Sequence, residues 1–285
     1  MTLRLASLPA LAADAELTAA QFRAISTIAR DVAGIQLRAG KEGLVRSRLA
    51  RRLRTLAVPS YDAYLERVAG DPRELAEMVD LLTTNKTSFF RERAHFDFLR
   101  DALLPHWRAH PAEPVRLWSA GCSSGEEAYT LAMVLREALP DIERRDVRIL
   151  ATDLSHRVLA QAREGVYGDA AVADVPPALL HRHFTRVAAP SGAQGAGAWS
   201  AGPGLRQLVT FAPLNLMGAW PMRGPFHAIL CRNVMIYFDK PTQQRLVERY
   251  HALLAPGGHL FVGHSESLSA LTHAFAYVQP ALYRR

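Results

Sequence analysis

From Leu17 to about Asn85 the apolar residues recur at helical spacing. Leu17, Phe22, Ile25, Ile28, Ala29 and Val32 fall on one face of a first predicted helix, and Gly34 is placed to stop it. A second helix, from about Lys41 to Leu56, carries only a narrow stripe of Val45, Leu49, Leu53 and Leu56. Ser60 is placed to cap a third helix through Tyr61, Tyr64 and Leu65, and Asp71-Pro72 to open a fourth through Leu75, Met78 and Leu82. A long helix from about Glu92 to Ala109 follows, closed by Pro111 and Pro114.

At Val115 the texture changes to short apolar runs alternating with helical segments. Strands are predicted over 115–119, 147–152, 226–231 and 259–262, and helices over 126–139, 155–164 and 241–254. That alternation predicts a parallel sheet covered on both faces, an α/β domain. Residues 169–210 break the rhythm: a short helix from Pro176-Pro177, strands at 184–187 and 208–211, and a flexible Gly/Ala/Ser/Pro-rich loop over 189–204. They read as an inserted antiparallel hairpin lobe. The expected organisation is a disordered 1–15, a helical domain over 16–86, a linking helix over 87–112 and the α/β domain over 113–285.

Composition narrows the setting. Hydrophobic residues make up 49% and charged residues 21%, as in an ordinary globular protein, and no segment approaches the length of a membrane span. The apolar part of the N-terminus is short and broken by Ser7 and Pro9, so no export signal is expected. Cys122 and Cys231 are the only cysteines; two cannot frame a domain of this size, and free thiols in a reducing cytoplasm are the simpler reading.

The net charge of +7 is concentrated. Residues 38–54 hold seven basic residues and one acidic, a net of +6, which leaves +1 for all the rest. Arg46, Arg48, Arg51, Arg52 and Arg54 surround the narrow stripe of the second helix and point to an acidic partner surface. Nucleic acid is the rival partner, but no recognisable nucleic-acid fold or aromatic platform accompanies the basic run.

The predicted strands end in polar clusters, where an open α/β sheet binds its ligands. After 115–119 come Gly121 and Gly125, which permit close backbone approach, and then Glu126 and Glu127, which suit a cationic ligand better than a phosphate. This is neither a P-loop nor a dinucleotide fingerprint. Asp153 ends the next strand, either as an acceptor for ribose hydroxyls or as a helix cap. Asn215 lies in a turn and could meet a purine edge. Arg232, Asn233 and Tyr237 close the run 226–239; buried polar groups of this kind need a ligand or a network. Asn85, Thr87 and Arg91 lie just before the sheet, beside Phe89 and Phe90. The set suggests a nucleotide-like ligand, and no metal is expected.

Together the segments TTNKTSFFRE, LWSAGCSSGEEAYTLA, ATDLS, LCRNVMIYF and GGHLFVGHSESL resemble the chemotaxis receptor methyltransferases of the CheR family, over roughly residues 17–285. The resemblance implies a Rossmann-like class I methyltransferase sheet, a helical N-terminal domain and an inserted β-subdomain. It implies methyl transfer from S-adenosylmethionine to glutamate side chains on the cytoplasmic helices of chemoreceptors, by a cytoplasmic enzyme. Asn85, Thr87 and Arg91 would close over the cofactor. Glu126 and Asp153 would hold its amine and ribose, Asn215, Leu216, Arg232 and Asn233 would complete the pocket, and Tyr237 would face the methyl group. A short receptor-tail peptide on the inserted lobe is a second implied contact. No repeat segment follows residue 285, which implies the plain catalytic form. The competing class is a non-catalytic sensor of S-adenosylmethionine or another nucleotide.

Overall fold

The computed structural model describes residues 16–188 and 197–285, so the disorder expected for 1–15 and the first half of the predicted loop fall outside the described residues. The chain forms two compact units that divide between Thr84 and Asn85.

The first unit is four helices: α1 (Ala19–Ala33), α2 (Glu42–Thr55), α3 (Tyr61–Gly70) and α4 (Pro72–Leu82). Their ends follow from local chemistry. Thr18 and Gln21 make a reciprocal capping box, Gly34 closes α1 with φ 72°, and Ser60 and Asp71 cap α3 and α4. Phe22, Ile25, Val45, Leu49, Leu53, Tyr64 and Met78 build the core. Glu74 is buried among them. Arg52 meets it with two hydrogen bonds, at 2.9 and 2.6 Å, and the Tyr64 hydroxyl donates a third at 2.9 Å.

The second unit begins with a helical segment that is not continuous. α5 (Ala94–Phe98) passes through a π-helical turn, Leu99–Leu103, before α6 (Leu104–Ala109). Pro105 explains the break: it has no N–H to give the carbonyl four residues earlier, and its ring crowds that position. Then come β1 (Val115–Ala120), α7 (Glu126–Ala138), β2 (Val147–Asp153), α8 (His156–Glu164), β3 (Val166–Gly168), α9 (Pro177–His183), β4 (Phe184–Val187), β5 (Ala198–Ala201), α10 (Pro203–Leu208) and β6 (Val209–Pro213). The chain finishes with β7 (Phe226–Cys231), α11 (Lys240–Leu253), β8 (Leu254–Val262), β9 (Ala276–Gln279) and β10 (Leu282–Arg284).

Seven strands form one sheet in the order β6-β2-β1-β7-β8-β10-β9, parallel from β6 to β8 and antiparallel through β10 and β9. Successive residues of the central strands feed opposite layers. Leu117, Ala228 and Leu230 pack with α7 and the 94–109 helices; Trp118, Ile229 and Cys231 pack with α11. The order reverses between β1 and β7, which creates the crevice where ligands of open α/β sheets bind.

The inserted lobe is not the expected hairpin, because the strand expected at 208–211 is β6 of the main sheet, paired parallel to β2. It is a three-stranded antiparallel sheet, β3-β5-β4, and starts at Val166. Within the stretch expected to be a flexible loop, residues 198–201 form the central strand of this sheet, and Pro203 starts a helix that runs to Leu208. Small residues disguised that strand, but Trp199 marks it. Its ring carries the Arg186 guanidinium at 5.1 Å and its N–H donates to Asp169 at 2.9 Å.

Candidate active site

The carboxyl ends of β1, β2, β6 and β7 meet at the crevice. β1 runs into a turn whose Gly121 and Cys122 N–H groups both reach the Thr152 carbonyl of β2, at 2.8 and 2.9 Å. Gly121 has φ 91°, and a Cβ there would lie 2.4 Å from Val234. The sequence suggested that this glycine admits a ligand; the packing of Val234 already requires it. Gly125, φ 97°, starts α7 against Ala162 and Tyr167.

Asp153 ends β2 with its carboxylate oriented by two backbone N–H groups, from Ser123 at 2.8 Å and Ser155 at 2.9 Å. The helix cap proper is Ser155, which accepts from Val158. Asp153 therefore links the glycine turn to its own strand end, and its carbonyl accepts the Leu214 N–H at the exit of β6, at 2.9 Å. That bond places the Asn215-Leu216 turn beside it. There Asn215 accepts the Met217 N–H at 2.9 Å, and Leu216 is buried.

Segment 85–92 is fastened to the same edge. Ser123 donates its hydroxyl to the Asn85 carbonyl at 2.9 Å, and the Phe90 N–H reaches Thr130 at 3.2 Å. Thr87 and Arg91 are half-buried between these anchors, and Arg91 donates to the Lys86 carbonyl at 2.8 Å. Phe89 is core, packed edge-on to Tyr167 and Phe184.

Arg232 ends β7 in a network. Its guanidinium binds Glu127 at 2.9 Å and Glu92 at 3.1 Å, donates to the Arg91 carbonyl, and lies over Phe96. Asn233, φ 59°, donates to Glu92 at 3.1 Å. The buried Glu266 carboxylate accepts the N–H groups of Asn233 (2.8 Å), Ile236 (3.1 Å) and Gly263. This holds the turn that delivers Tyr237, which is half-buried in the short 3-10 segment Met235–Tyr237. Gly263 is obligatory there, since a Cβ would lie 2.8 Å from the Asn233 nitrogen.

Three acids in this edge have roles not assigned from the sequence. Glu92 and Glu266 carried no expectation, and Glu127, expected with Glu126 to suit a cationic ligand, is instead paired with Arg232. An arginine closing an apolar strand is the signal that could have found two of them, because it demands buried acids.

The charges differ in kind. Burial raises the Glu127 pKa against the opposing pull of Arg232. Burial also pushes Glu92 up, but Arg232, the Asn233 amide and the His264 N–H outweigh it and the net shift is downward. Glu126 is buried, with its pKa raised by burial. It accepts the Ser124 hydroxyl at 2.8 Å and forms no ion pair among the described residues. A buried carboxylate without a cation, beside a carboxylate oriented as Asp153 is, suits a ligand with an ammonium at one end and a diol at the other.

Residues 85–283 match the CheR methyltransferase SAM-binding domain, and residues 20–83 match the CheR methyltransferase all-alpha domain. The chain belongs to the CheR methyltransferase family. It is 41% identical to a probable chemotaxis protein methyltransferase of Rhizobium etli, over 88% of this chain and 94% of that one. It is 44% identical to chemotaxis protein methyltransferase 2 of Pseudomonas aeruginosa, over 88% and 87%. To the chemotaxis protein methyltransferase of Escherichia coli it is 40% identical, over 94% and 91%. As a CheR-family member it is an S-adenosylmethionine-dependent methyltransferase acting in chemotaxis. Among the described residues no helix is long and apolar enough to cross a membrane.

Proposed function

We propose that this chain methylates glutamate side chains on the cytoplasmic helices of chemoreceptors. The observation that carries the site assignment is Glu126, a buried carboxylate with no cation among the described residues, at the crevice of the sheet. Glu126 holds the cofactor's ammonium and Asp153 its ribose. Asn85, Thr87 and Arg91 close over it, and Asn215, Leu216, Arg232 and Asn233 complete the wall. When bound, S-adenosylmethionine supplies a sulfonium methyl as electrophile.

A glutamate substrate is already ionised near neutral pH, so the chain need not supply a general base. An anion attacks a cationic centre and charge is neutralised, so a site closed to water favours the transition state over the separated ions. Arg91 orients the substrate carboxylate and Tyr237 donates a hydrogen bond to one of its oxygens. Both act by positioning, since a firm grip on the ground state would slow transfer.

The exposed arginines of α2 form the docking face for the acidic receptor helices. Arg46, Arg51 and Arg54 are exposed, whereas Arg48 donates to the Leu82 carbonyl and Thr84 and Arg52 is committed to Glu74. A receptor-tail peptide would add to an edge strand of the small sheet, β3 or β4.

The test is transfer of labelled methyl from S-adenosylmethionine to receptor cytoplasmic fragments, followed by mild base. Base-labile label on the fragments is the expected result. Cofactor binding with no transfer to any receptor fragment would overturn the proposal.

A further inference from the structure

At the opposite, amino edge of the sheet the connection from α6 to β1 reads His106-Trp-Arg-Ala-His110-Pro-Ala-Glu113-Pro114. His106 lies in the last turn of α6 and His110 is its C-cap four residues on, with ring centroids 4.3 Å apart. The Glu113 N–H reaches the His110 carbonyl at 3.1 Å and folds the chain back, so the Glu113 carboxylate lies 3.3 Å from His106 Nε2. Prolines 111 and 114 fix the backbone on either side of that turn.

His110 Nδ1 lies 2.8 Å from the His106 carbonyl. A carbonyl only accepts, so Nδ1 carries the proton and the Nε2 lone pair is the one available for coordination. One ligand atom from each of the three side chains lies within 4.8 Å of the others. Bonds of about 2.0–2.1 Å to zinc give a tetrahedral edge of about 3.3–3.4 Å, which the His106–Glu113 separation already matches.

We propose that His106, His110 and Glu113 form a site for a divalent transition-metal cation. Two imidazoles and one carboxylate favour zinc, nickel or copper over magnesium or calcium. His106 and Glu113 are 58% and 54% exposed, so the fourth position is open to water or to a donor from another molecule. A second grouping, Glu92, His95 and His264, does not serve in the same way. Both Glu92 oxygens are taken, one by the Arg232 guanidinium and the other by Asn233 and the His264 N–H.

Zinc chloride titrated calorimetrically into the chelator-stripped full chain should show one site. His110→Ala should weaken it at least about ten-fold, and His106→Ala/His110→Ala should abolish it. The three side chains are on the surface, and the double variant should keep wild-type methyl transfer and melting temperature. Cobalt in place of zinc should give the intense visible bands of a tetrahedral site, absent in the double variant. No zinc uptake by the wild-type chain, or unchanged uptake by the double variant, overturns the assignment.

Discussion

Arg232 and Glu127 meet at 2.9 Å, with side chains 2% and 12% exposed. One residue ends β7 and the other opens α7, so the pair joins the two sides of the crevice. The same guanidinium reaches Glu92 and the Arg91 carbonyl, so segment 85–92 depends on it as well. Removing one partner of such a pair leaves the other charge buried. Arg232→Ala should lose about 3–5 kcal/mol of stability, read by urea denaturation, whether or not cofactor is present. Combining it with Glu127→Gln should recover part of that loss. A variant with wild-type stability and only weakened cofactor affinity would make Arg232 a ligand rather than a brace.

Glu126 should behave in the opposite way. Its folded-state pKa is raised by burial, so the folded apo chain binds that proton more tightly than the unfolded chain. Stability from this group is present at low pH and is lost as pH rises from the ordinary carboxylate value through the folded one. Glu126→Gln should therefore leave the apo protein as stable as wild type, or more so, near neutral pH. It should weaken S-adenosylmethionine about ten- to a hundred-fold, the worth of a hydrogen bond to a charged partner. Thermal shift without cofactor and calorimetry with it separate the two effects.

His95 sets an acid limit. It is 2% exposed, its ring nitrogens find no hydrogen-bond partner among the described residues, and Arg232, Glu92 and His264 face it. Burial first, then Arg232, push its pKa from 6.5 down to about 4. The unfolded chain takes up the proton first, so stability is full above the unfolded value and falls as pH drops through that window, by about 1.4 kcal/mol per pH unit at most. His95→Phe keeps an aromatic ring against Phe261 and should flatten that slope. Equal slopes for variant and wild type would show that other groups govern acid unfolding.

Much of this edge was legible in the sequence, and the reasons differ residue by residue. Strand ends at Ala120, Asp153 and Cys231 were marked by apolar runs stopping at polar clusters, and caps at Ser60 and Asp71 by local chemistry. Glu266 and Glu127 were not, because burial of an acid is decided by what packs over it from distant segments. Residues 198–201 looked like loop because Ala and Ser carry little strand propensity, and their pairing partners lie far away in sequence. The π turn at 99–103 had a local cause in Pro105, yet the apolar periodicity around it continued unbroken.

Tyr237 and Arg91 are assigned to positioning, so their loss should appear in turnover. Tyr237→Phe should lower kcat about ten- to a hundred-fold with cofactor affinity little changed. Arg91→Ala should lower kcat and raise the receptor KM together. The folded state should tolerate both, because the Tyr237 hydroxyl makes no hydrogen bond among the described residues and Arg91 reaches only a neighbouring carbonyl. Wild-type turnover in both variants would remove them from the site.

The basic helix separates into two groups with opposite expected behaviour. Arg46→Glu/Arg51→Glu/Arg54→Glu changes exposed charges that no described acid neutralises. It should leave the melting temperature within a few degrees and raise the receptor KM at least ten-fold at low ionic strength, with the difference shrinking as salt screens the contact. Arg52→Ala should instead unfold the helical unit more easily. Glu74 is 2% exposed, and its pKa is lowered first by the Arg52 hydrogen bonds, so without the guanidinium a buried carboxylate keeps only the Tyr64 hydroxyl. The expected loss is about 3–5 kcal/mol. Its sign with pH is fixed as well. The pair stabilises above the unfolded carboxylate value and the contribution vanishes as pH falls through the folded one, so variant and wild type should converge in acid. If the triple reversal left receptor methylation intact, the docking face would have to lie elsewhere on the chain.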